Sequence, residues 1–415
     1  MTFGGTVFWE LDDTVLKSGR IGVLCNQAAW HIETGEYIFE TLYRRGNLRL
    51  VFMPEHGLFG ELQDQVKLDR TEPYRKLGLE KTEFVSLYGS DENSLSPRLR
   101  QLEGLDALVI ELQDSGARYY TFLATLYFLF KVIAASGINL PVYLLDRENP
   151  AGRFVEGSAL PQDYASFIGL AGLPHRYGLT IGELAWYFYD ELDARFPLHI
   201  VSYKARYKAG GSSARLAPWL IPPSPNFPSP YTAFFYSGQC LWEGCNVSEG
   251  RGTTRPFEVF GAPFMESLID YNRVHGYEGW NDSRHPLYGS GAFLRWHRFI
   301  PVFHKYSNEC CFGFQLILNP SKPYHALAHA LKIVRFTAEN CEDFVFRPGK
   351  YEAGNDRTAI ELLAGDPLLL DYLNGRTGWE SAAAHLRNSE QAWIDKTKKY
   401  LLYGEELIRG ALCGA

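Results

Sequence analysis

Short apolar runs alternate with amphipathic segments along the first 200 residues of the chain. Five runs carry apolar side chains on both faces, as strands in the interior of a parallel sheet do. They cover 21–24, 49–53, 84–88, 107–112 and 142–145, and helix-like segments such as 38–45 and 121–135 lie between them. This β-α-β-α order predicts an α/β fold: a Rossmann-like, doubly wound and mostly parallel sheet.

The pattern changes after residue 220. Five prolines within 221–230 exclude a helix interior or a central strand, so this segment is a rigid connector or a wall of a cleft. Beyond it, 311–318 has the pattern of a strand, 324–339 that of a helix, and 358–403 is mostly helical. Since 415 residues exceed what one core usually organises, we expect two domains. These are a Rossmann-like N-terminal domain, 1–240, and a smaller C-terminal α+β domain, 241–415, with the active site in the cleft between them.

Composition narrows the choice of partners. Hydrophobic residues make up 46% of the chain and charged residues 21%, as in soluble globular proteins. A net charge of −7 disfavours a nucleic-acid partner. No apolar stretch reaches the roughly 20 residues of a membrane span. The seven cysteines lack the spacing of a zinc site, and the N-terminus lacks the pattern of a signal peptide. The prediction is a cytoplasmic protein with reduced thiols.

Candidate chemistry collects just after three predicted strands. The carboxyl ends of strands in an open α/β sheet are where ligands bind, near the point at which strand order reverses. The side chains placed there are Glu55, His56, Asp114, Arg118, Tyr119, Tyr120, Asp146, Arg147 and Asn149, followed by Glu156. Three loops that each carry a carboxylate and a hydrogen-bonding partner predict a site on that rim.

Some of these residues also have plainer explanations. Glu55 could be a solvated loop residue, and Asp114 could cap the helix that follows it. Asp146 and Arg147 could form a local ion pair. Arg118, flanked by two tyrosines, has the surroundings that suit a ligand carboxylate.

A glycine-rich loop at 248–254, with Arg255 just after it, offers Arg251, Arg255 and backbone N–H groups to an anionic substrate, although it could be a simple turn. Glu249 and Thr253 of this loop are further candidates for substrate binding. The loop lacks the order of a P-loop, and no GxGxxG follows the first strand. The chain has neither the HExxH of a zinc enzyme nor the GxSxG of a serine hydrolase. Nucleotide and metal cofactors are therefore disfavoured, and carboxylate chemistry remains.

Taken together, these motifs resemble the exo-β-N-acetylmuramidase family, formerly a domain of unknown function. The resemblance extends in order and spacing from about residue 21 to 403. The matching segments are Pro-Glu-His-Gly (54–57), Gln-Asp-Ser-Gly-Ala-Arg-Tyr-Tyr-Thr (113–121), Leu-Asp-Arg-Glu-Asn-Pro (145–150), Tyr-Gly-Leu-Thr-Ile-Gly-Glu-Leu-Ala (177–185), Ser-Pro-Asn-Phe-Pro (224–228), Ser-Glu-Gly-Arg-Gly-Thr-Thr-Arg-Pro-Phe-Glu (248–258), Gly-Ala-Pro-Phe (261–264), Phe-Arg-Pro (346–348) and Lys-Tyr-Leu-Leu-Tyr (399–403). Two loops depart from the family pattern: Glu148 stands where a proline is usual, and the loop at 26–30 differs.

The resemblance implies release of terminal, non-reducing β-linked N-acetylmuramic acid from peptidoglycan fragments, without a cofactor. It also implies substrate contacts by Asn26 and Asn226, which lie in two of the loops that line the cleft. Muramic acid bears a lactyl carboxylate, so its site needs a cation. Arg118 and Arg251 are the candidates, with Arg147 third.

Glycoside hydrolysis needs a carboxylic acid that protonates the leaving oxygen and a second group that handles the sugar cation. We assign the first role to Glu55, with His56 positioning it or the substrate. The second role goes to Asp114, or alternatively to Glu156, unless the acetamide of the substrate itself attacks. Two rival functions are a carbohydrate-binding protein without hydrolysis and a nucleotide-dependent oxidoreductase. The second is disfavoured because the first turn, 25–28, contains no glycine.

Overall fold

The protein is described by a computed structural model over residues 2–4, 14–31, 34–63, 66, 74, 77–89, 92–204, 221–289, 291–319, 321–352 and 355–412. Its strands are β1 (Thr2–Gly4), β2 (Ile21–Cys25), β3 (Trp30–His31), β4 (Glu36–Tyr37), β5 (Leu48–Met53), β6 (Glu83–Ser86), β7 (Ala107–Glu111), β8 (Val142–Leu145), β9 (Phe154–Val155), β10 (Leu198–Val201), β11 (Val259–Ala262), β12 (Ala292–Phe299), β13 (Cys311–Leu318) and β14 (Ile408–Arg409). Its α-helices are α1 (Thr14–Ser18), α2 (Ile38–Arg44), α3 (Leu99–Glu103), α4 (Phe122–Ser136), α5 (Ile181–Glu191), α6 (Pro230–Gln239), α7 (Tyr271–His275), α8 (Ala326–Asn340), α9 (Ala359–Ala364), α10 (Pro367–Leu373) and α11 (Trp379–Thr397).

The N-terminal domain is built on a parallel sheet. Within the described residues its strands follow the order β1-β10-β8-β7-β2-β5-β6, and each pairs in parallel with its neighbours. Every residue of β2, β7 and β8 is buried, since α4 and α5 cover one face of the sheet and α1 and α2 cover the other. The predicted doubly wound α/β fold is thereby confirmed.

Strand order reverses between β2 and β7, and the crevice at that point is filled by side chains of the protein itself. Asn26 and the backbone of Gln113 hydrogen-bond to each other across the two strand ends, at 3.4 and 3.5 Å. Arg147 reaches in from beyond β8 and donates to Glu111 and to the carbonyl of Ala28, each at 2.8 Å. The crevice in which other Rossmann-like proteins bind ligands is thus occupied by a polar network.

A smaller C-terminal domain has an antiparallel sheet, β11-β13-β12, packed with helices, as the predicted α+β class requires. Helix α6, which precedes this domain in the chain, crosses its helix α8 closely: a Cβ at Gly238 would lie 2.2 Å from the carbonyl oxygen of Ala326. The chain then returns to the first domain, because β14 pairs in parallel with β9. One hydrophobic core runs through both domains, so the two walls of the cleft between them are joined by packing.

Most predicted elements agree with the structure to within two residues, and the strands at 142–145 and 311–318 agree at both ends. Eight of the described strands were not anticipated from the sequence. Five of them, β1, β3, β4, β9 and β14, have only two or three residues; the longer ones are β10, β11 and β12. Strand β12 escapes detection because one of its faces is exposed, so that Arg295 and His297 interrupt its apolar positions. The proline-rich segment contributes to a cleft wall, and its last proline, Pro230, starts α6.

Candidate active site

A pocket of about 610 Å³ lies between the carboxyl ends of the strands and the C-terminal domain. It is lined by Glu55, His56, Tyr88, Tyr119, Tyr120, Thr121, Ile168, Ser224, Asn226, Phe227, Tyr236, Cys240, Glu243, Arg251, Phe257, Tyr351 and Leu363. Six of these were predicted from the sequence as site residues: Glu55, His56, Tyr119, Tyr120, Asn226 and Arg251.

Glu55 is delivered to the pocket by the turn after β5. Its side chain is only 6% exposed, and its Oε2 accepts a hydrogen bond of 2.7 Å from the hydroxyl of Thr121 at the start of α4. This contact fixes the orientation of the carboxyl group from the next loop of the same rim. The solvated-loop alternative for Glu55 is therefore not what the structure shows.

The neighbouring imidazole has a defined tautomer and an unusual backbone. His56 has a φ of 76°, and Gly57 follows at 81°, so two successive residues adopt the left-handed conformation. The Nδ1 atom of His56 lies 2.9 Å from the carbonyl oxygen of Leu62, which can only accept a hydrogen bond. Nδ1 therefore carries the proton, and Nε2 of the neutral ring is an acceptor. Strained backbone of this kind is maintained where it places a functional group.

An aromatic wall faces the carboxylate. Successive ring pairs from Tyr120 through Phe227 and Tyr236 to Phe257 are edge-to-face, with centroids 4.7–5.3 Å apart. Burial raises the pKa of the Tyr120 and Tyr236 hydroxyls well above their ordinary value, so both are neutral hydrogen-bonding groups. Asn226 ties this wall to the loop after His56 by donating to the Oε1 of Gln63 at 2.9 Å. These four rings therefore line the pocket alongside its charged groups.

Beside this wall the pocket holds an ion-paired cluster, in which the guanidinium of Arg251 lies over the ring of Phe257 at 4.9 Å. Arg251 Nη1 contacts Glu243 Oε1 at 3.0 Å and Glu249 Oε1 at 3.2 Å, and the hydroxyl of Tyr351 donates to Glu243 Oε2 at 2.5 Å. Glu243 and Tyr351 were missed by sequence reasoning. The available signal for Glu243 was its position at the start of the polar segment that leads into the glycine-rich loop.

That loop has its own geometric explanation. Gly250 and Gly252 have φ values of 84° and 82°, and a Cβ at either would fall within 2.6 Å of a backbone oxygen. Thr253 donates its hydroxyl to the carbonyl of Gly250 at 2.6 Å and does not line the pocket. Glu249 is fully buried behind Arg251. Of Glu249, Arg251 and Thr253, only Arg251 lines the pocket.

Glu156, the alternative second carboxylate, does not line the pocket. It is fully buried between the domains, paired with Arg176 at 2.8 Å, and accepts hydrogen bonds from Ser237 and from the backbone N–H groups of Ala326 and Leu327. The last two contacts satisfy backbone N–H groups in the first turn of α8, which have no partner within the helix. The geometry assigns it a structural place, and we do not retain its catalytic role.

Arg118 is also absent from the pocket and is not retained as a ligand for substrate. It is 1% exposed, and burial lowers its pKa to about 10. The guanidinium donates to carbonyl oxygens of both domains: those of Ser158, Leu173, Leu363 and Ala364, at 3.0–3.3 Å. It holds the domains together, because Ser158 and Leu173 precede and Leu363 and Ala364 follow the boundary between them.

The remaining residues of the rim hold the fold. Asp146 accepts hydrogen bonds from Thr180 and Gly182 at the start of α5, and from the hydroxyl of Tyr403 in the C-terminal tail. Asn149 bridges to the carbonyl of Leu179 at 2.8 Å. Asn26, Arg147 and Asn149 do not line the main pocket, and the side chain of Arg147 pairs with Glu111 rather than with its neighbour Asp146.

Asp114 stays close to the site but faces away from the pocket. Its Oδ2 accepts from the N–H of Gly116 at 2.8 Å and from the hydroxyl of Tyr177, and it lines a separate small cavity. Burial raises its pKa to about 7, against 3.8 ordinarily, despite these hydrogen bonds. It therefore stabilises a turn, and it does not cap α4.

This raised pKa predicts a pH dependence of stability. Because the folded state favours protonated Asp114, its contribution is complete below about pH 4 and is lost as the pH rises through 7, at up to about 1.4 kcal/mol per pH unit. Asp114→Asn removes the titration, so we expect the variant to gain thermal stability relative to the wild type between pH 5 and 8. Melting curves across that range measure the difference. The exposed Asp193→Asn serves as control, and parallel wild-type and Asp114→Asn profiles would contradict the assignment.

Among the described residues there is no group of three or more His, Cys, Asp or Glu side chains arranged to hold a metal ion. No helix in that part of the chain is both long and apolar enough to cross a membrane.

The chain is similar to known proteins in both sequence and fold. Family models described as exo-β-N-acetylmuramidase NamZ, N-terminal and C-terminal, match residues 21–231 and 234–403. A peptidoglycan β-N-acetylmuramidase NamZ of Bacillus subtilis (strain 168) is 32% identical over 395 residues, which cover 94% of this chain and 88% of that protein. Two crystal structures of DUF1343 family proteins from Bacteroides fragilis share the fold. One has a TM-score of 0.71 at 23% identity, covering 94% of this chain and 95% of its own; the other has 0.68 at 24%, covering 97% and 99%.

Proposed function

The chain belongs to the NamZ family of exo-β-N-acetylmuramidases, and from that premise we propose that it releases terminal, non-reducing β-linked N-acetylmuramic acid from peptidoglycan fragments. The observation that carries the proposal is the pocket itself, which contains a buried, hydrogen-bonded carboxyl group, Glu55, and an arginine, Arg251, in one aromatic-walled cavity. A carboxyl group and a cation are the equipment that cleavage of an acidic sugar needs.

Glu55 acts as the general acid in this proposal. Protonation of the leaving oxygen requires a carboxylic acid held in one orientation next to the glycosidic bond. The hydroxyl of Thr121 supplies that orientation by its hydrogen bond to Oε2. His56 lies beside Glu55 with Nε2 as acceptor, which suits a contact with a sugar hydroxyl or with a water molecule.

Glu243 takes the second role in place of Asp114 and Glu156. It is the other carboxylate that lines the pocket among the described residues, and Arg251 and Tyr351 hold it in place. A carboxylate in this environment favours a developing positive charge on the sugar ring. The alternative in which the substrate acetamide attacks would use the same carboxylate to orient that group.

Arg251 recognises the lactyl carboxylate. It is the one arginine or lysine among the described residues that line the pocket. A charge-assisted hydrogen bond from arginine would distinguish muramic acid from glucosamine, which lacks the acid.

The test is hydrolysis of a chromogenic β-N-acetylmuramide and of the matching β-N-acetylglucosaminide. We expect the wild type to prefer the muramide, and Arg251→Met to raise its KM by about 10- to 100-fold, because a hydrogen bond to a charged group contributes about 1.5–3 kcal/mol. Arg273→Met, an exposed arginine, is the control. An unchanged preference in Arg251→Met would contradict the role of Arg251, and saturable binding of muropeptides without product would replace hydrolysis by carbohydrate binding.

A further inference from the structure

A strained segment lies directly behind the ion-paired cluster. His304, Tyr306 and Asn308 have φ values of 70°, 55° and 64°, three non-glycine residues in the left-handed conformation within five positions. Each such residue costs on the order of 1 kcal/mol, so the segment keeps this shape only because its surroundings hold it. The contacts that hold this segment in place therefore indicate its role.

Lys305, in the middle of this segment, contacts the stretch of chain that contains Glu243 and Glu249. Its ammonium group is 3.0 Å from Glu249 Oε2 and donates to the carbonyl oxygens of Trp242 and Val247 at 2.7 and 2.9 Å. The hydroxyl of Tyr306 donates to the carbonyl of Asn246 at 2.5 Å. All these acceptors belong to 242–249, the stretch that carries Glu243 into the pocket. The lysine side chain is 14% exposed and does not line the pocket.

Electrostatics explain why a cation is needed at this place. Arg251 faces two carboxylates, Glu243 and Glu249, which together exceed its single positive charge. Burial alone would raise the pKa of Glu249, yet Lys305, His304 and Arg251 outweigh burial and hold that pKa well below its ordinary value. Lys305 therefore balances a permanent negative charge behind Arg251. His304, at 3.0 Å from Glu249 Oε1, adds to this effect when it is protonated.

We propose that Lys305 is a positioning residue for recognition of an anionic sugar: by neutralising Glu249, it leaves the charge of Arg251 effective toward the carboxylate of the substrate. Without Lys305, the cluster at the pocket wall would carry a net negative charge and would repel that carboxylate. The inference rests on the proposed function, since it takes the substrate to be acidic.

The experiment measures competitive inhibition of muramide hydrolysis by N-acetylmuramic acid and by its methyl ester, which has the same shape without the charge. Lys305→Met is expected to raise the inhibition constant of the acid by about tenfold, the effect of about 1.4 kcal/mol, and to leave that of the ester within about twofold. Lys305→Arg keeps the charge and should retain most of the preference for the acid.

Glu249→Gln/Lys305→Met provides the decisive comparison. Removing both charges restores the balance at Arg251, so the double variant should recover acid binding that Lys305→Met loses. A purely structural lysine predicts the opposite: the double variant would be at least as impaired, and acid and ester would weaken together, which overturns the inference. If Lys305→Met does not fold, Glu249→Gln alone decides, because it should bind the acid at least as tightly as the wild type, and weaker binding overturns the proposal.

Failure of the two proposals can be told apart. A wild type that does not hydrolyse the muramide overturns the proposed function, and this inference with it. A wild type that hydrolyses it, with an acid-to-ester ratio unchanged in Lys305→Met, overturns the role of Lys305 alone.

Discussion

Replacing Glu55 by glutamine is expected to lower kcat for a disaccharide with non-reducing N-acetylmuramic acid by about 10³-fold or more. The amide keeps the size of the side chain and can still accept from Thr121, but it cannot supply a proton to the leaving sugar, a contribution usually amounting to about 10²–10⁴-fold. Product formation is followed by mass spectrometry, and thermal melting establishes that the variant is folded. Exposed Glu103→Gln is the matched control and should retain wild-type activity.

The leaving group separates an acid from other roles. Dinitrophenolate leaves a dinitrophenyl muramide with little need of protonation. The loss of kcat in Glu55→Gln should therefore be far smaller on this substrate than on the disaccharide. Equal losses on both substrates would indicate that Glu55 acts as nucleophile or base rather than acid. Disaccharide turnover within about tenfold of the wild type would remove Glu55 from the mechanism.

The fold could be predicted because its signals are local. A strand such as β8 is apolar on both faces whatever its neighbours are, and the turn at Glu55 and His56 follows immediately from the end of β5. The resemblance to a family likewise depends on residues in sequence order. These features hold before any tertiary contact is known, and they predict a site at the rim of the sheet where Glu55 and His56 line the pocket.

Which polar residues line the pocket and which are buried against other protein groups could not be predicted in the same way. Asp114, Arg118 and Glu156 occupy motifs as conspicuous as that of Glu55, yet they turn toward buried protein groups. Which way a loop side chain turns depends on what packs against the loop: Gly116 and Tyr177 for Asp114, and helices of the second domain for Arg118 and Glu156. Arg118, for example, finds carbonyl oxygens of Leu363 and Ala364, about 245 residues further along the chain.

Glu243 illustrates the same limit from the opposite direction. It lies on a 3₁₀ turn, Cys240–Gly244, with no motif of acid-base chemistry around it. Its carboxylate accepts from Tyr351 and its backbone carbonyl from Arg347, 108 and 104 residues further along the chain, so its position depends on long-range contacts. Motifs shared within a family can thus contain residues that stabilise the common fold, as Arg118 and Glu156 do here, as well as residues that line the pocket.

Glu156 gives the sharpest test of that distinction. Glu156→Gln should lower the free energy of unfolding by about 3–5 kcal/mol, because it leaves the buried guanidinium of Arg176 without its counter-charge. The carboxylate also serves two N–H groups of α8, which an amide satisfies less well. Thermal and denaturant unfolding measure this loss. Turnover per folded molecule, at a temperature where the variant is native, should stay within about twofold of the wild type, since Glu156 does not line the pocket.

Removing the charge of Arg176 as well tests whether the loss of stability in Glu156→Gln is electrostatic. Glu156→Gln/Arg176→Met eliminates the uncompensated cation, so the double variant should be more stable than Glu156→Gln alone although it lacks one more native side chain. That recovery is expected only if the loss is electrostatic and structural. A stable Glu156→Gln enzyme with a kcat reduced by about 100-fold or more would instead make Glu156 the second catalytic carboxylate. Glu55, Glu243 and Arg251 line one pocket while Glu156 pairs with Arg176 outside it, and this arrangement predicts the first outcome.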